Sequence, residues 1–188
     1  MPGYAIPRPT SGDIIDLILD DHRFVESLLR DLRTSPSDRA AARACLAAVL
    51  VAHAEAEQSA VYPKLARRAE EVGAEEVEHG HKEHAEGNRC LLELLEAKGT
   101  TTQKFEDAVN KLSAYLYHHI CEEELTILGP AREQVGDKER REIGAGWLAT
   151  RGELLDGDCG SAENVRRLVD RDVKAGIIRE ELPEHPGH

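Results

Sequence analysis

The chain nearly repeats itself, and the repeated unit carries histidines. His53-Ala54-Glu55-Ala56-Glu57, followed by Val61-Tyr62-Pro63, matches His119-Ile120-Cys121-Glu122-Glu123, followed by Ile127-Leu128-Gly129, at an offset of 66 residues (119 − 53). An acid-histidine dipeptide precedes each pair, Asp21-His22 and Glu83-His84, at an offset of 62 (84 − 22). The unit is a helix with one histidine followed by a helix with HxxxE, twice over. A chain built this way has four paired helices to pack and must decide what to do with polar residues that recur on their apolar faces.

Those faces follow from periodicity. Ile14, Ile15, Leu17, Ile18, Phe24, Val25, Leu28, Leu29 and Leu32 recur at helical spacing after a cap at Ser11 or Asp13. A second helix starts near Asp38, bends or breaks its first segment near Pro63 and continues to about Val72, with Gly73 closing it. A third runs from Ala74 to Lys98-Gly99, and a fourth, capped by Thr100 to Thr102, runs to an interruption at Gly129-Pro130. Alanine, leucine, glutamate and arginine dominate, only 4% of residues are aromatic, and strand-forming runs are missing. The expected fold is all-α: an up-and-down four-helix bundle with an additional C-terminal helical extension. The divisions are a flexible N-terminus at 1–12, the bundle at 13–132, the extension at 133–182 with helices near Lys138–Leu155 and Ala162–Glu180, and a disordered tail at 183–188. The extension has an apolar face, including Ile143, Trp147, Val165 and Leu168, to bury against the bundle or a second subunit.

With about 3.6 residues per turn, positions i and i+4 share a helix face, so His53 points with Glu57 and His119 with Glu123. The apolar stripes turn both pairs inward, and His22 and His84 lie in the stripes of their own helices. Taken singly, such a pair is an ordinary helix hydrogen bond. Two aligned pairs on apolar faces are different, because buried carboxylates and imidazoles need charge compensation, which metal ions supply. His81, one turn before His84, is a further candidate ligand. Four or five imidazoles and two carboxylates suffice for two ions, and an octahedral, carboxylate-bridged pair in a helical bundle favours iron, with zinc as a possible substitute.

On these residues the chain resembles the hemerythrin-like (HHE cation-binding) family in its bacterial form. The family pattern is a lone His, then HxxxE, then one or two His, then a final His with an acid four or five residues on. Carried across, it marks His22, His53 and Glu57, His84, and His119 and Glu123, over roughly Asp13 to Arg132. The resemblance implies a non-haem di-iron protein that binds or processes dioxygen, peroxide or nitric oxide. Alternatives are a di-iron oxidase or oxygenase acting on an organic substrate, and a non-catalytic iron or oxygen sensor. Two departures stand out. The third-helix HxxxH is absent, since Asn88 follows His84 by four and Gly80 precedes it by four; and the doubled His118-His119 leaves His118 with Glu122 as a second register. Tyr62, Tyr115 and Tyr117 are assigned to packing, with a hydrogen bond to a bound oxygen ligand as the alternative, Glu122 and Glu124 to the surroundings of the site or to the surface, and His79, His185 and His188 to no role.

A net charge of −12, from 36 acidic and 24 basic residues, disfavours nucleic acid and anionic membranes as partners. No apolar run reaches the ~18 residues of a membrane span, and the start, Met1 to Thr10, has no apolar leader core. The expected setting is the cytoplasm. Cys45, Cys90, Cys121 and Cys159 are far apart and read as reduced thiols. A homodimer is compatible with the apolar face of the extension.

Overall fold

A computed structural model describes residues 4–67 and 73–179. Six helices account for most of them, and no strand occurs among the described residues. Helix α1 is Ile14–Thr34, started by Asp13, whose carboxylate accepts from the Ile15 N–H at 3.0 Å. Helix α2 (39–65) is built from Arg39–Ala56, a wide π turn Glu57–Val61 and a last turn Tyr62–Leu65. Helix α3 is Ala74–Glu96, and Gly73 stands at its N-cap. Residues 68–72, where the second helix was expected to end, lie outside the described residues. Helix α4 (103–134) repeats the design of α2: Gln103–Glu123, a π turn Glu124–Leu128, then Gly129–Gln134.

The interruptions expected at Pro63 and Gly129-Pro130 are therefore widenings rather than breaks. A proline ring clashes with the carbonyl four residues back in a plain α-helix. In both helices that carbonyl, of Ser59 or Thr126, belongs to the π turn, which closes through Tyr62 N–H to the Glu57 carbonyl and Gly129 N–H to the Glu124 carbonyl. The axis continues, and each helix carries its glutamate at the edge of the widened turn.

Two apolar clusters fill the bundle, one around Leu28, Leu46, Leu91, Phe105 and Leu112, the other around Ile14, Ile18, Val61, Tyr62, Ile127 and Trp147. The histidine-bearing turns lie between these clusters in sequence on each helix. Helices α5, Asp137–Asp156, and α6, Ala162–Lys174, form the extension. Both pack on the bundle: α5 on α1 and α2, and α6 on α3. A Cβ on Gly144 would come within 2.5 Å of the Gly12 carbonyl, and one on Gly160 would overlap the backbone of Ala47 and Ala48, so only glycine permits so close an approach. Ile143, Trp147 and Val165 are buried there.

Residues 4–12 form no helix and are tied to α1 and α5. Tyr4 donates to Asp31 at 2.9 Å, and the Pro7 carbonyl accepts from Arg151 at 3.0 Å. The tail expected to be disordered, 183–188, lies outside the described residues. Among the described residues, no helix is long and apolar enough to cross a membrane.

Candidate metal centre

Six of the seven sequence candidates meet between α1, α2, α3 and α4, and all six are buried: His22, His53, Glu57, His84, His119 and Glu123. Their arrangement follows the internal repeat. His22 and His53 form one pair, with ring centroids 5.2 Å apart, and His84 and His119 form the other, at 4.9 Å. Each glutamate reaches across from one pair to the other. Glu57 lies 3.0 Å from His53 Nε2 and 3.3 Å from His84 Nε2; Glu123 lies 3.2 Å from His22 Nε2 and 3.8 Å from His119 Nε2.

Every imidazole thus turns Nε2 to the centre, and each has a partner for Nδ1. Asp21 takes His53 at 3.3 Å and Glu83 takes His119 at 2.9 Å, so the acid of each acid-histidine dipeptide serves the histidine of the following helix. Glu124 takes His22 at 2.9 Å, while the Gln58 side-chain amide faces His84 Nδ1 at 3.1 Å. Gln58 and Glu124 each follow a central glutamate by one residue. Nδ1–H donation to a carboxylate fixes the tautomer and leaves Nε2 with a free lone pair facing inward, as metal-binding histidines require.

The centre has atoms without partners. His22 Nε2, Glu57 Oε1 and Glu123 Oε2 are buried and have no hydrogen-bond partner, which is uncommon for buried polar atoms. One donor atom from each of His22, His53 and Glu123 lies within 4.8 Å of the others, a spacing a single ion can span. The charges favour a cation, since the carboxylates of Asp21, Glu57, Glu83, Glu123 and Glu124 outnumber the one guanidinium, of Arg151, that reaches them.

The groups at the centre also shift one another's protonation. Burial disfavours the charged form of His53, yet Glu57 and then Asp21 outweigh it and raise the imidazole well above its ordinary value. His119 is raised in the same way, against burial, by Glu83 and Glu123. Glu57 is held far below the usual carboxylate range by His53 and His84 despite burial. Glu123 is lowered too: burial and the Glu57 charge oppose its ionisation, and His22 and His119 prevail.

His81 does not join the other six. Its place, one turn earlier and about 4.5 Å further along α3, brings it beside Ala175, Gly176 and Ile177, with its ring centroid 6.0 Å from that of Tyr62. The space toward the centre belongs to Tyr62, which the sequence pattern assigns to packing. Its hydroxyl donates to Glu123 at 2.9 Å and lies 3.5 Å from both Glu57 and His84 Nε2. The ring is 0% exposed and stacks on His84. Gly80, one turn before His84, makes this possible: a Cβ there would meet the Tyr62 ring at 3.1 Å and its hydroxyl at 3.3 Å.

The fourth-helix register resolves to His119 and Glu123, since His118 is exposed and pairs with Glu122 at 3.5 Å. Exposed His79 reaches Glu122 at 3.1 Å, and Tyr115 donates to the Glu83 carbonyl at 3.0 Å. His185 and His188 lie outside the described residues. A small cavity of about 30 Å³ touches all four central histidines and is lined by Val25, Leu50, Leu91, Leu116 and Ile120, with Asn88 also on its wall.

A family model described as the hemerythrin HHE cation binding domain matches residues 13–131. The chain belongs to this family. The hemerythrin match begins and ends with the bundle, and the extension α5–α6 lies beyond it. The chain is also similar to a protein named DNA nickase from Nostoc sp. (strain PCC 7120), 26% identical over 145 residues. That match takes in 76% of this chain but 40% of the Nostoc protein, so the chain spans less than half its relative's length. No solved structure matches the chain. Membership in the hemerythrin family means a cation-binding bundle, and the buried His/Glu cluster is where this chain has the ligands for one.

Proposed function

We propose that the hemerythrin domain holds two iron ions, one against His22 and His53 and one against His84 and His119, with Glu57 and Glu123 shared between them, and that it binds or processes a small oxidant. The observation that carries this reading is the crosswise contact of the two glutamates, each touching one histidine of either pair. A single ion would not draw on both ends of that arrangement. The ions would supply redox chemistry and an open coordination position; the chain's own residues supply inward-facing Nε2 atoms, carboxylates that hold Nδ1 of His22, His53 and His119, and an apolar surround. His-rich ligation with only two carboxylates at the centre favours reversible binding over oxygen cleavage.

Size favours dioxygen, peroxide or nitric oxide over an organic substrate. Organic ligands occupy pockets of roughly 300–1,000 Å³, whereas the cavity beside the histidines has about 30 Å³, room for a molecule of two or three heavy atoms. This sets the oxygenase alternative below oxidant binding. The nickase activity named for the Nostoc protein is not carried across, because the chain spans 40% of that protein and its −12 net charge repels phosphate backbones.

The test is metal content per chain on protein produced with iron, with visible spectra taken after anaerobic reduction and after return of oxygen, and gas evolution measured on adding peroxide. About two irons with a charge-transfer band that responds to oxygen or peroxide is the expected result. Protein that takes up no iron, or one ion only, would overturn the two-ion reading. His53→Ala, Glu57→Ala, His119→Ala and Glu123→Ala should each lose most of the metal, while exposed His79→Ala should retain it.

A further inference from the structure

The two halves of the centre are not equivalent, and what separates them lies outside the matched hemerythrin segment. Asp21 and Glu83 are counterparts in the repeat, each holding Nδ1 of a central histidine. Glu83 is buried, and its other oxygen lies 3.8 Å from the imidazole of exposed His79. Asp21 is buried, and both of its oxygens are taken by Arg151 of α5, Nε to Oδ2 at 2.7 Å and Nη2 to Oδ1 at 2.8 Å. Arg151 is itself only 2% exposed, spends its remaining terminal nitrogen on the Pro7 carbonyl and lies 5.3 Å from the Trp147 ring centroid. Trp147 meets His53 edge-on at 5.9 Å.

We infer that α5 is part of the metal centre: Arg151, acting through Asp21, and Trp147, acting by contact, are positioning residues that aim His53 and set how strongly it donates, at one ion position only. This rests on the two-ion reading above. A carboxylate that accepts from Nδ1–H pushes electron density toward Nε2 and makes the imidazole a stronger ligand. A two-pronged guanidinium draws that charge away and fixes the carboxylate plane. The distances carry the mark of this competition. Asp21 Oδ2 serves both Arg151 at 2.7 Å and His53 at 3.3 Å, whereas Glu83, which meets no guanidinium among the described residues, holds His119 at 2.9 Å. His53 is accordingly the more rigidly aimed and the more weakly donating of the two repeat-related histidines.

The experiment compares full-length wild type, Arg151→Gln and Asp21→Asn, each loaded with iron, by iron per chain, visible spectrum and spectroelectrochemical midpoint potential. Arg151→Gln leaves the Asp21 charge uncompensated beside His53, so its potential should fall below wild type. Asp21→Asn removes the carboxylate and leaves the guanidinium, so its potential should rise. Opposite shifts distinguish positioning from loosened packing, which would move both variants the same way. Arg151→Lys, which keeps the charge without the two-pronged contact, should return the potential toward wild type. Potentials and spectra equal to wild type in both variants, or shifts of one sign, overturn the inference. Should Arg151→Gln fail to fold, the sign of the Asp21→Asn shift decides. Wild type without two irons would instead overturn the two-ion reading itself, a result read before any variant is compared.

Discussion

At the scale of single residues, the centre works by pairing each inward nitrogen with an outward support. The least expected member is Tyr62. In a plain α-helix, residues five apart point about 140° away from one another, so the pattern Glu57-xxxx-Tyr62 reads as two different faces. The π turn closes its hydrogen bond five residues back and returns Tyr62 to the side of Glu57. Gly80 leaves room for the ring where the third helix lacks a histidine. Tyr62→Phe should retain the fold, because the ring stays packed, but it frees a buried Glu123 oxygen, at a cost of ~1–3 kcal/mol. Loss of such an outer hydrogen bond weakens metal sites by about 10–100-fold. Chelator-driven metal release should therefore quicken by at least about tenfold, and an unchanged release rate would count against a role for the hydroxyl at the centre.

At the scale of elements, the decisive features are the two widened turns and the close docking of the extension. Helices α2 and α4 each carry HxxxE and widen over five residues, beginning at Glu57 itself in α2 and directly after Glu123 in α4. The extension is held by backbone proximity at Gly144 and Gly160, by Arg140 bound to Asp13 at 2.7 Å, and by Arg171 clasping Glu55 with two contacts of 3.0 Å. Of these, Gly160 has the least freedom, since a side chain would have to displace backbone. Gly160→Val should destabilise by ~1–3 kcal/mol or more through overpacking and lower the midpoint of thermal unfolding. If α5 also lifts from His53, the visible spectrum changes with it; a variant as stable as wild type would show that the connection between α5 and α6 adapts freely. Trp147→Ala, which removes a fully buried indole, should cost ~3–5 kcal/mol by the same calorimetric measurement.

At the scale of the whole molecule, the balance of charges makes stability depend on pH and on metal. In the metal-free protein His53 and His119 have raised values, so the stability they contribute is fully present below their ordinary 6.5 and is lost as pH rises through the higher folded values. Glu57 and Glu123 are depressed from 4.5, so their contribution is present above that value and is lost as pH falls through the lower folded values. The metal-free protein should be most stable between about pH 4.5 and 6.5 as far as these groups decide it. Metal takes the place of the imidazole protons, so bound ion should add most above that window. Paired thermal melts of metal-free and iron-loaded protein from pH 5.5 to 8 should show the gap between them widening with pH; a constant gap would mean that the histidines do not exchange protons for metal.

Local periodicity determined much of this protein. The offset of 66 between the HxxxE pairs, the apolar stripes and the caps at Asp13 and Thr102 made the helical bundle and the inward direction of His22, His53, Glu57, His84, His119 and Glu123 legible, because i, i+4 spacing is a property of the helix itself. Only the packed structure decided the rest. His81 stands beside the segment that follows α6, while the Tyr62 hydroxyl reaches the central glutamates. The extension chose the bundle as its surface, and Arg151, 130 residues from Asp21 in the chain, reached a carboxylate that no local pattern connects to it. Contacts between distant segments leave no periodic trace in a single chain, and at this centre they determine which of two repeated histidines stands next to a guanidinium.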